Sequence, residues 1–177
     1  AGKDHRRGEK GGLGFLITAG VITVSDKGSR GEREDISGRE VIRVLKEMPA
    51  SVIDYEVIPD EKEVIKEKLI EYTDRKKIDL IITTGGTGVS PRDLTPDATL
   101  EIIEKEIPGM AEVMRRESGA KTPHAMISRA VVGIRGQSLI INLPGSPKGA
   151  VENLSFIIPA LEHAIDKIKG DETDCGL

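Results

Sequence analysis

The stretch Leu80-Ile-Ile-Thr-Thr-Gly-Gly-Thr-Gly-Val-Ser-Pro-Arg-Asp-Leu-Thr-Pro96 decides the fold. Leu80 to Thr83 are apolar or β-branched and run into Gly85-Gly86-Thr87-Gly88, then into a polar turn and Thr95-Pro96. That order predicts a buried strand, a loop too poor in side chains to be built for packing, and a helix start. Thr95 is expected to cap the helix and Pro96 to take its first position. Glycines between strand and helix let backbone N–H groups converge on an anion at the carboxyl end of a sheet. The plainer alternative is a tight turn whose glycines only permit positive φ; the flanking elements and the Arg92-Asp93 pair inside the loop weigh against it. No Gly-Lys-Ser/Thr closes the stretch, so it is not a Walker A loop. Phosphate held here is held by backbone, with partners from elsewhere in the chain.

Working outward, Leu16 to Val24 reads as a first strand that ends in the loop Ser25-Asp26-Lys27-Gly28-Ser29-Arg30-Gly31. If the two strands are parallel, this loop opens beside the glycines. A helix is predicted from about Ser37, which has capping-box spacing to Glu40, with Val41, Val44, Leu45 and Met48 as its apolar stripe and Pro49 as its stop. Ile53, Tyr55 and Val57 alternate as a strand ending at Pro59-Asp60. Asp60 and Glu63 repeat the capping-box spacing ahead of Ile65, Leu69 and Tyr72 on one helical face. The order β-α-β-α-β, with crossover-length helices, predicts parallel strands.

Beyond the glycines, a helix is predicted from Pro96 to about Ile107, on the recurrence of Leu100, Ile103 and Ile107, with Pro108-Gly109 as its break. A short helix over Met110 to Glu117, loop at 122–125, and a hairpin of 131–134 with 138–142 through Arg135-Gly136 follow. Leu143 to Gly149 forms a second Gly/Pro loop. The closing helical region carries Leu154, Ile157, Leu161, Ile165 and Ile168 inward, with Pro159 as a kink or restart. The expected fold is α/β, a three-layer α/β/α sandwich around a mostly parallel sheet. It spans 14–169 as a single domain, between a disordered tail at 1–13 and a frayed C-terminal tail at 170–177.

Composition narrows function. With no Trp, two Tyr and two Phe, aromatic stacking is not the main recognition device. A net charge of −4 over a mixed surface gives no support for nucleic-acid binding. The single Cys175 leaves neither a disulfide framework nor a thiolate metal cluster, and His124 and His163 lack metal-ligand grouping. No apolar run reaches transmembrane length, so a soluble cytoplasmic protein with no membrane partner is expected.

Ser25-Asp26 with Ser29 and Gly31, Ile58-Pro59-Asp60-Glu61, Thr84 to Gly88 with Arg92-Asp93 and Thr95 to Thr99, Pro108-Gly109, Ser128-Arg129 and Asn142 to Gly145 occur in order. This ordered set, spanning residues 14 to 168, resembles the molybdopterin adenylyltransferase family of molybdenum-cofactor biosynthesis. The resemblance implies a molybdopterin-binding-domain fold and transfer of an adenylyl group from ATP to the terminal phosphate of molybdopterin, with release of pyrophosphate. It also implies a homo-oligomer, most simply a trimer, and a downstream molybdenum-inserting enzyme as partner. It places the essential carboxylates on Asp60 and Asp93, which are the expected Mg²⁺ ligands. Gly85, Gly86, Thr87 and Gly88 are then expected on phosphate, and Leu143, Pro144 and Gly145 on the nucleotide. Ser25, Asp26, Ser29, Ser118 and Ser128 are expected on molybdopterin.

Each residue has a plainer reading. Asp60 with Glu63 is an ordinary helix cap, and Asp93 caps through Thr95 or pairs with Arg92. Ser118-Gly119 is a common surface turn, Ser128 the end of a loop, Asp26 an orienter of backbone, and Arg115-Arg116 a solvated face. Two other functions also fit the fold: a carrier that binds molybdopterin without adenylylating it, and a scaffold domain.

Overall fold

The computed structural model describes residues 16–175; the tail expected over 1–13 lies outside them. In chain order the elements are β1 (Ile17–Val24), the one-turn α1 (Asp26–Ser29), α2 (Ile36–Leu45), β2 (Ala50–Ile58) and α3 (Lys62–Ile70), which widens into a π turn over Glu71–Arg75. β3 (Leu80–Thr84), α4 (Thr95–Ile102), β4 (Lys105–Glu106), α5 (Pro108–Gly119), a 3₁₀ turn at Pro123–Ile127, β5 (Val132–Arg135), β6 (Ser138–Leu143) and α6 (Pro147–Ile168) complete it.

The strands form one sheet in the order β2-β1-β3-β6-β5-β4. The first four are mutually parallel, and β5 runs antiparallel to both β6 and β4. The mostly parallel sheet expected from the β-α-β-α-β order is therefore present. Its central strands are buried on both faces, which is why they read as continuous apolar runs. In β3, Leu80 and Ile82 enter one core while Ile81 enters the other; in β6, Leu139 and Ile141 oppose Ile140 in the same way. α2, α5 and α6 cover the first core, and α3 and α4 the second. Each fully buried Leu or Ile contributes about 1.5–3 kcal/mol, so the two cores hold the parallel strand ends in register.

Several local expectations are corrected. The helix after the glycines ends at Ile102 rather than Ile107, because its three apolar residues do not share a face: Leu100 is exposed, Ile103 packs on the second core and Ile107 on the first. The chain crosses the sheet edge between them, and Lys105–Glu106 pairs with β5. Pro108 starts α5 instead of only ending the preceding helix, and 123–127 is a 3₁₀ turn where loop was expected. Pro159 lies inside one continuous α6. Ile53 is the residue skipped by a bulge, since Ala19 pairs with Val52 and Gly20 with Asp54, and its side chain is exposed.

Three caps were also misplaced. α2 is capped by Asp35, whose Oδ1 accepts the Gly38 N–H at 2.9 Å, and Ser37 is buried inside the helix. α3 starts after Glu61 with no side-chain cap, so neither Asp60 nor Glu63 forms the box. α4 starts after Leu94 with no side-chain cap, and the Thr95 hydroxyl is turned inward. Among the described residues no helix is long and apolar enough to cross a membrane.

Gly85 has φ +104° and lies against Val24, where an added Cβ would overlap the Val24 carbonyl oxygen. Gly136 in the β5–β6 turn also has positive φ, +56°, but nothing lies within 4 Å of its Cβ position. Gly136→Ala is expected to cost about 1–2 kcal/mol, the ordinary left-handed penalty. Gly85→Ala is expected to cost more, because the sheet ends must also separate. Equal free energies of unfolding for the two variants in urea would show that the Gly85 contact does not constrain the fold.

Candidate active site

The carboxyl ends of β1, β2, β3 and β6 face one edge of the molecule, and two cavities open there. The larger, about 670 Å³, is lined by the ends of β1 and β3, the glycines Gly85 and Gly86, Ser25, Asp60, and the starts of α2 and α6. The smaller, about 240 Å³, lies on the other side of the same loop, against Thr87, Gly88, Ser118 and Ser128. Ser146 lines both.

The loop between them is tied down by its own backbone. The Gly85 N–H donates to the Leu143 carbonyl at 3.1 Å, and the Thr95 N–H to the Gly86 carbonyl at 3.1 Å. Thr95 Oγ1 donates to the Gly85 carbonyl at 2.9 Å. Gly85 therefore spends its N–H inside the fold. The N–H groups of Gly86, Thr87 and Gly88 have no hydrogen-bond partner among the described residues, and these three are left to meet an anion.

The larger cavity has helix starts on two sides. Ser146 Oγ accepts the Gly149 N–H at 3.1 Å, with Pro147 in the first turn of α6. Asp35 caps α2 opposite. Both present the positive ends of helix dipoles, which favour anionic groups by about 0.3–1 kcal/mol each. Asp35 Oδ2 also accepts hydrogen bonds from Thr23 Oγ1, at 2.7 Å, and from the Tyr55 hydroxyl, fixing the start of α2 to β1 and β2. Burial, then the Asp35 carboxylate, pushes the Tyr55 phenol up to about 12. Below this rim, Thr84 Oγ1 donates to the Pro144 carbonyl at 2.7 Å. Its single proton being used, the 2.7 Å contact with Ser37 is donated by the serine. Ser37, Thr84 and Pro144 thus join three walls of the cavity.

Acidic groups crowd the open side. The Asp26 N–H donates to Asp60 Oδ2 at 2.7 Å, and the Asp60 N–H to Asp26 Oδ1 at 3.0 Å. This reciprocal pair staples the ends of β1 and β2, so Asp60 serves the neighbouring strand end rather than α3. Arg92 binds Asp26 through Nε at 2.6 Å and Nη2 at 3.0 Å, and reaches Glu61 at 2.8 Å. That guanidinium holds the Asp26 carboxyl below its usual range. Burial pushes Asp60 up, aided by the charges of Asp26 and Asp93 and opposed by the Asp26 N–H. Asp93 pairs neither with Arg92 nor with α4; its Oδ2 accepts the Ser90 N–H at 2.9 Å.

The residues expected on molybdopterin do not share one cavity. Ser25 lines the larger one and caps α1 through Gly28, at 3.0 Å; Ser29 is bonded to the Asp26 carbonyl and lines neither. Ser118 and Ser128 line the smaller. Ser118 sits within α5 and is buried, its hydroxyl donating to Asn153 at 3.2 Å, so it is not part of a surface turn. Arg115 also lines this cavity and donates to the Ala130 carbonyl, whereas Arg116 pairs with Glu117 outside. Ser146 and Asn153 were not singled out from sequence, Ser37 was read only as a helix cap, and Thr84 only as the first residue of the glycine motif. Ser146-Pro147 and Asp35 three before Gly38 were legible cap signals; Asn153 carries none.

Among the described residues no three His, Cys, Asp or Glu side chains are grouped to hold a metal. The chemistry of Asp60 and Asp93 is compatible with Mg²⁺, which needs only one or two carboxylates and keeps its waters, rather than a cage of protein ligands. The unfavourable mutual charge at Asp60 is of the sign a cation relieves.

Residues 20–163 match the family described as a probable molybdopterin binding domain. The molybdopterin adenylyltransferase of Helicobacter pylori (strain J99) is 43% identical over 157 residues, covering 88% of this chain and 89% of that protein. Gephyrin of Dictyostelium discoideum is 42% identical over 159 residues, 84% of this chain but only 22% of that longer protein. Among solved structures, the molybdopterin biosynthesis enzyme MoaB of Thermus thermophilus aligns with a TM-score of 0.84 at 49% identity, over 88% of this chain and 98% of that one.

Tyr55 gives the cavity rim a pH signature. Its phenol stays protonated in the folded chain up to about 12, against an ordinary value of 10.0. The unfolded chain therefore ionises first, and the contribution of Tyr55 is complete below pH 10 and lost as pH rises towards 12. Tyr72 is shifted in the same direction by deeper burial. Tyr55→Phe is expected to lose stability less steeply than the wild type across that window, in urea unfolding at successive pH values. Parallel curves would rule out the Tyr55–Asp35 bond as described.

Proposed function

The chain belongs to the family of the probable molybdopterin binding domain, and from that premise we propose that it is a molybdopterin adenylyltransferase. The terminal phosphate oxygen of molybdopterin attacks the α-phosphorus of ATP; a new P–O bond forms, the bond to the β-phosphate breaks, and its electron pair leaves with pyrophosphate. Two cavities meeting on one loop with three N–H groups to spare support this reading above all else.

ATP takes the larger cavity, with its phosphates against Gly86 and between the starts of α2 and α6, reaching Thr87 and Gly88 where the loop passes to the smaller cavity; Leu143, Pro144 and Gly145 flank the nucleotide. Molybdopterin takes the smaller, where the Ser128 hydroxyl donates a hydrogen bond, Ser118 Oγ, its own proton given to Asn153, accepts one, and Arg115 supplies positive charge. Ser25 lines the nucleotide side of the loop, and Asp26 and Ser29 support it there through the Asp60 staple and the α1 turn. Nothing in this arrangement calls for a covalent intermediate on the protein. Fixed donors and held geometry carry the rate, as expected for phosphoryl-type transfer. Asp60 and Asp93 would hold Mg²⁺, which supplies neutralisation of phosphate charge when bound. The chain assembles as a homotrimer, which covers Met126 and Ile127, both exposed beside the smaller cavity. The product passes to a molybdenum-inserting enzyme. Light scattering is expected to return three times the mass of one chain, and a monomer would refute the assembly.

The reaction is tested with purified protein, molybdopterin, ATP and Mg²⁺. Release of pyrophosphate with an adenylylated pterin is the expected outcome. Binding of molybdopterin without turnover would make the protein a carrier, and neither would leave a scaffold. Asp93→Asn and Asp60→Asn are each expected to stay folded and lose at least about a hundredfold in kcat, since a charge acting mainly on the transition state is removed. In Asp60→Asn an amide oxygen can still accept the Asp26 N–H, whereas Asp60→Ala loses that bond and about 1–3 kcal/mol of stability as well. Wild-type kcat in both asparagine variants would remove the carboxylates from the mechanism.

A further inference from the structure

Arg129 makes more bonds to the phosphate loop than any role so far requires. It follows Ser128 of the smaller cavity and leads into β5. Its backbone N–H donates to the Thr87 carbonyl at 2.8 Å. Its Nε donates to the Gly88 carbonyl at 2.8 Å, and Nη2 to the Asp93 carbonyl at 2.5 Å. Nη1 and Nη2 also reach the Asp97 carboxylate, at 3.2 and 3.0 Å. One residue therefore grips the loop at both ends, Thr87-Gly88 and Asp93, and moors it to the first turn of α4.

The loop passes this placement on to the Asp93 carboxylate. Asp93 Oδ2 accepts the Ser90 N–H across the loop, and it lies so near Gly88 that a Cβ there would stand 2.7 Å from it. Moving the Gly88 carbonyl relative to the Asp93 carbonyl thus moves the carboxylate. The ion pair with Asp97 is half-exposed on both sides and, by itself, of small value. The carbonyl bonds are what distinguish the arrangement, and they need a planar fork with several donors in fixed directions. A lysine ammonium can keep the Asp97 pair, but it cannot serve Gly88, Asp93 and Asp97 in the same geometry.

We propose that Arg129 is the positioning residue of the Asp93 carboxylate: it holds the loop 87–93 in the one shape that presents Asp93 to the phosphates, and touches neither substrate. The proposal rests on the reading of Asp93 as an acid that acts on the nucleotide. It also gives the Ser128-Arg129 pair two separate tasks, the serine facing the smaller cavity and the arginine setting the loop that carries Asp93.

Arg129→Lys and Arg129→Ala are compared with the wild type by thermal melting, amide hydrogen exchange of the 87–93 segment, calorimetric binding of a non-hydrolysable ATP analogue with Mg²⁺, and turnover. Arg129→Lys is expected to melt cooperatively like the wild type, to exchange faster in that segment alone, and to bind the analogue more weakly. Its kcat should fall at least about tenfold with the KM for molybdopterin unchanged, as loss of geometry at the reacting phosphate requires. Guanidinium ion at millimolar concentration should restore part of the rate in Arg129→Ala. Wild-type exchange and wild-type analogue binding in Arg129→Lys would overturn the proposal, even if Arg129→Ala failed to fold. Should the wild-type protein form no adenylylated product, the functional reading falls, and the exchange and binding results still decide whether Arg129 sets the loop.

Discussion

Everything at the carboxyl edge of this sheet depends on how Gly85 passes beneath the end of β1. Its backbone occupies a conformation that a side chain resists, against the Val24 carbonyl, and its N–H and carbonyl are both consumed, by Leu143 and by Thr95. That one residue thereby joins β1, β3, β6 and the start of α4. Behind it runs a buried polar chain. Thr99 Oγ1 donates to the Thr95 carbonyl, and Asn142 Nδ2 donates to both Thr83 and Thr99 at 3.0 Å. Asn142 Oδ1 accepts the Val131 N–H. Each of these groups would cost about 1–3 kcal/mol if left unpaired in so dry a setting. A shift of the loop would break several of them together, so the loop is rigid because its foundation is polar and fully used.

The next three N–H groups have nothing among the described residues to bond. Two helix starts and Arg115 add positive potential, while Asp26, Asp60, Glu61 and Asp93 add negative potential on the open side. The Arg92 guanidinium already balances two of these acids. What remains is a set of unbonded N–H donors and helix starts beside crowded carboxylates, a setting that suits an anionic ligand accompanied by a cation and not a bare apolar one.

Much of this was legible. The apolar run at 80–83, the glycines and the alternating helical stripes were enough to place a parallel sheet, because burial on both faces leaves a long-range pattern in the sequence. Positions that depended on local competition were not. Ser37 and Glu40 have the spacing of a cap, yet Asp35 wins because its carboxylate also gathers Thr23 and Tyr55 from two strands, partners that sequence spacing does not reveal. Asp60 looked like a cap for the same reason and instead bonds a neighbouring strand end 34 residues away in the chain. The stripe Leu100, Ile103, Ile107 misled because two cores on opposite sides of one sheet can each claim a residue from it. The division of the serines between two cavities was invisible for a simpler reason: Ser25 and Ser118 are placed by different layers of the fold.

The claim at the centre of this account is that the loop 85–88 separates two substrates and holds phosphate by backbone alone. A crystal structure of the protein with Mg²⁺ and a non-hydrolysable ATP analogue tests it most directly. The expected density places the phosphates within hydrogen-bond distance of the Gly86, Thr87 and Gly88 N–H groups, with the nucleoside in the larger cavity and no part of the nucleotide against Ser118 or Ser128. A nucleotide seated against Ser118 and Ser128, or phosphates held by side chains away from the glycine loop, would contradict it.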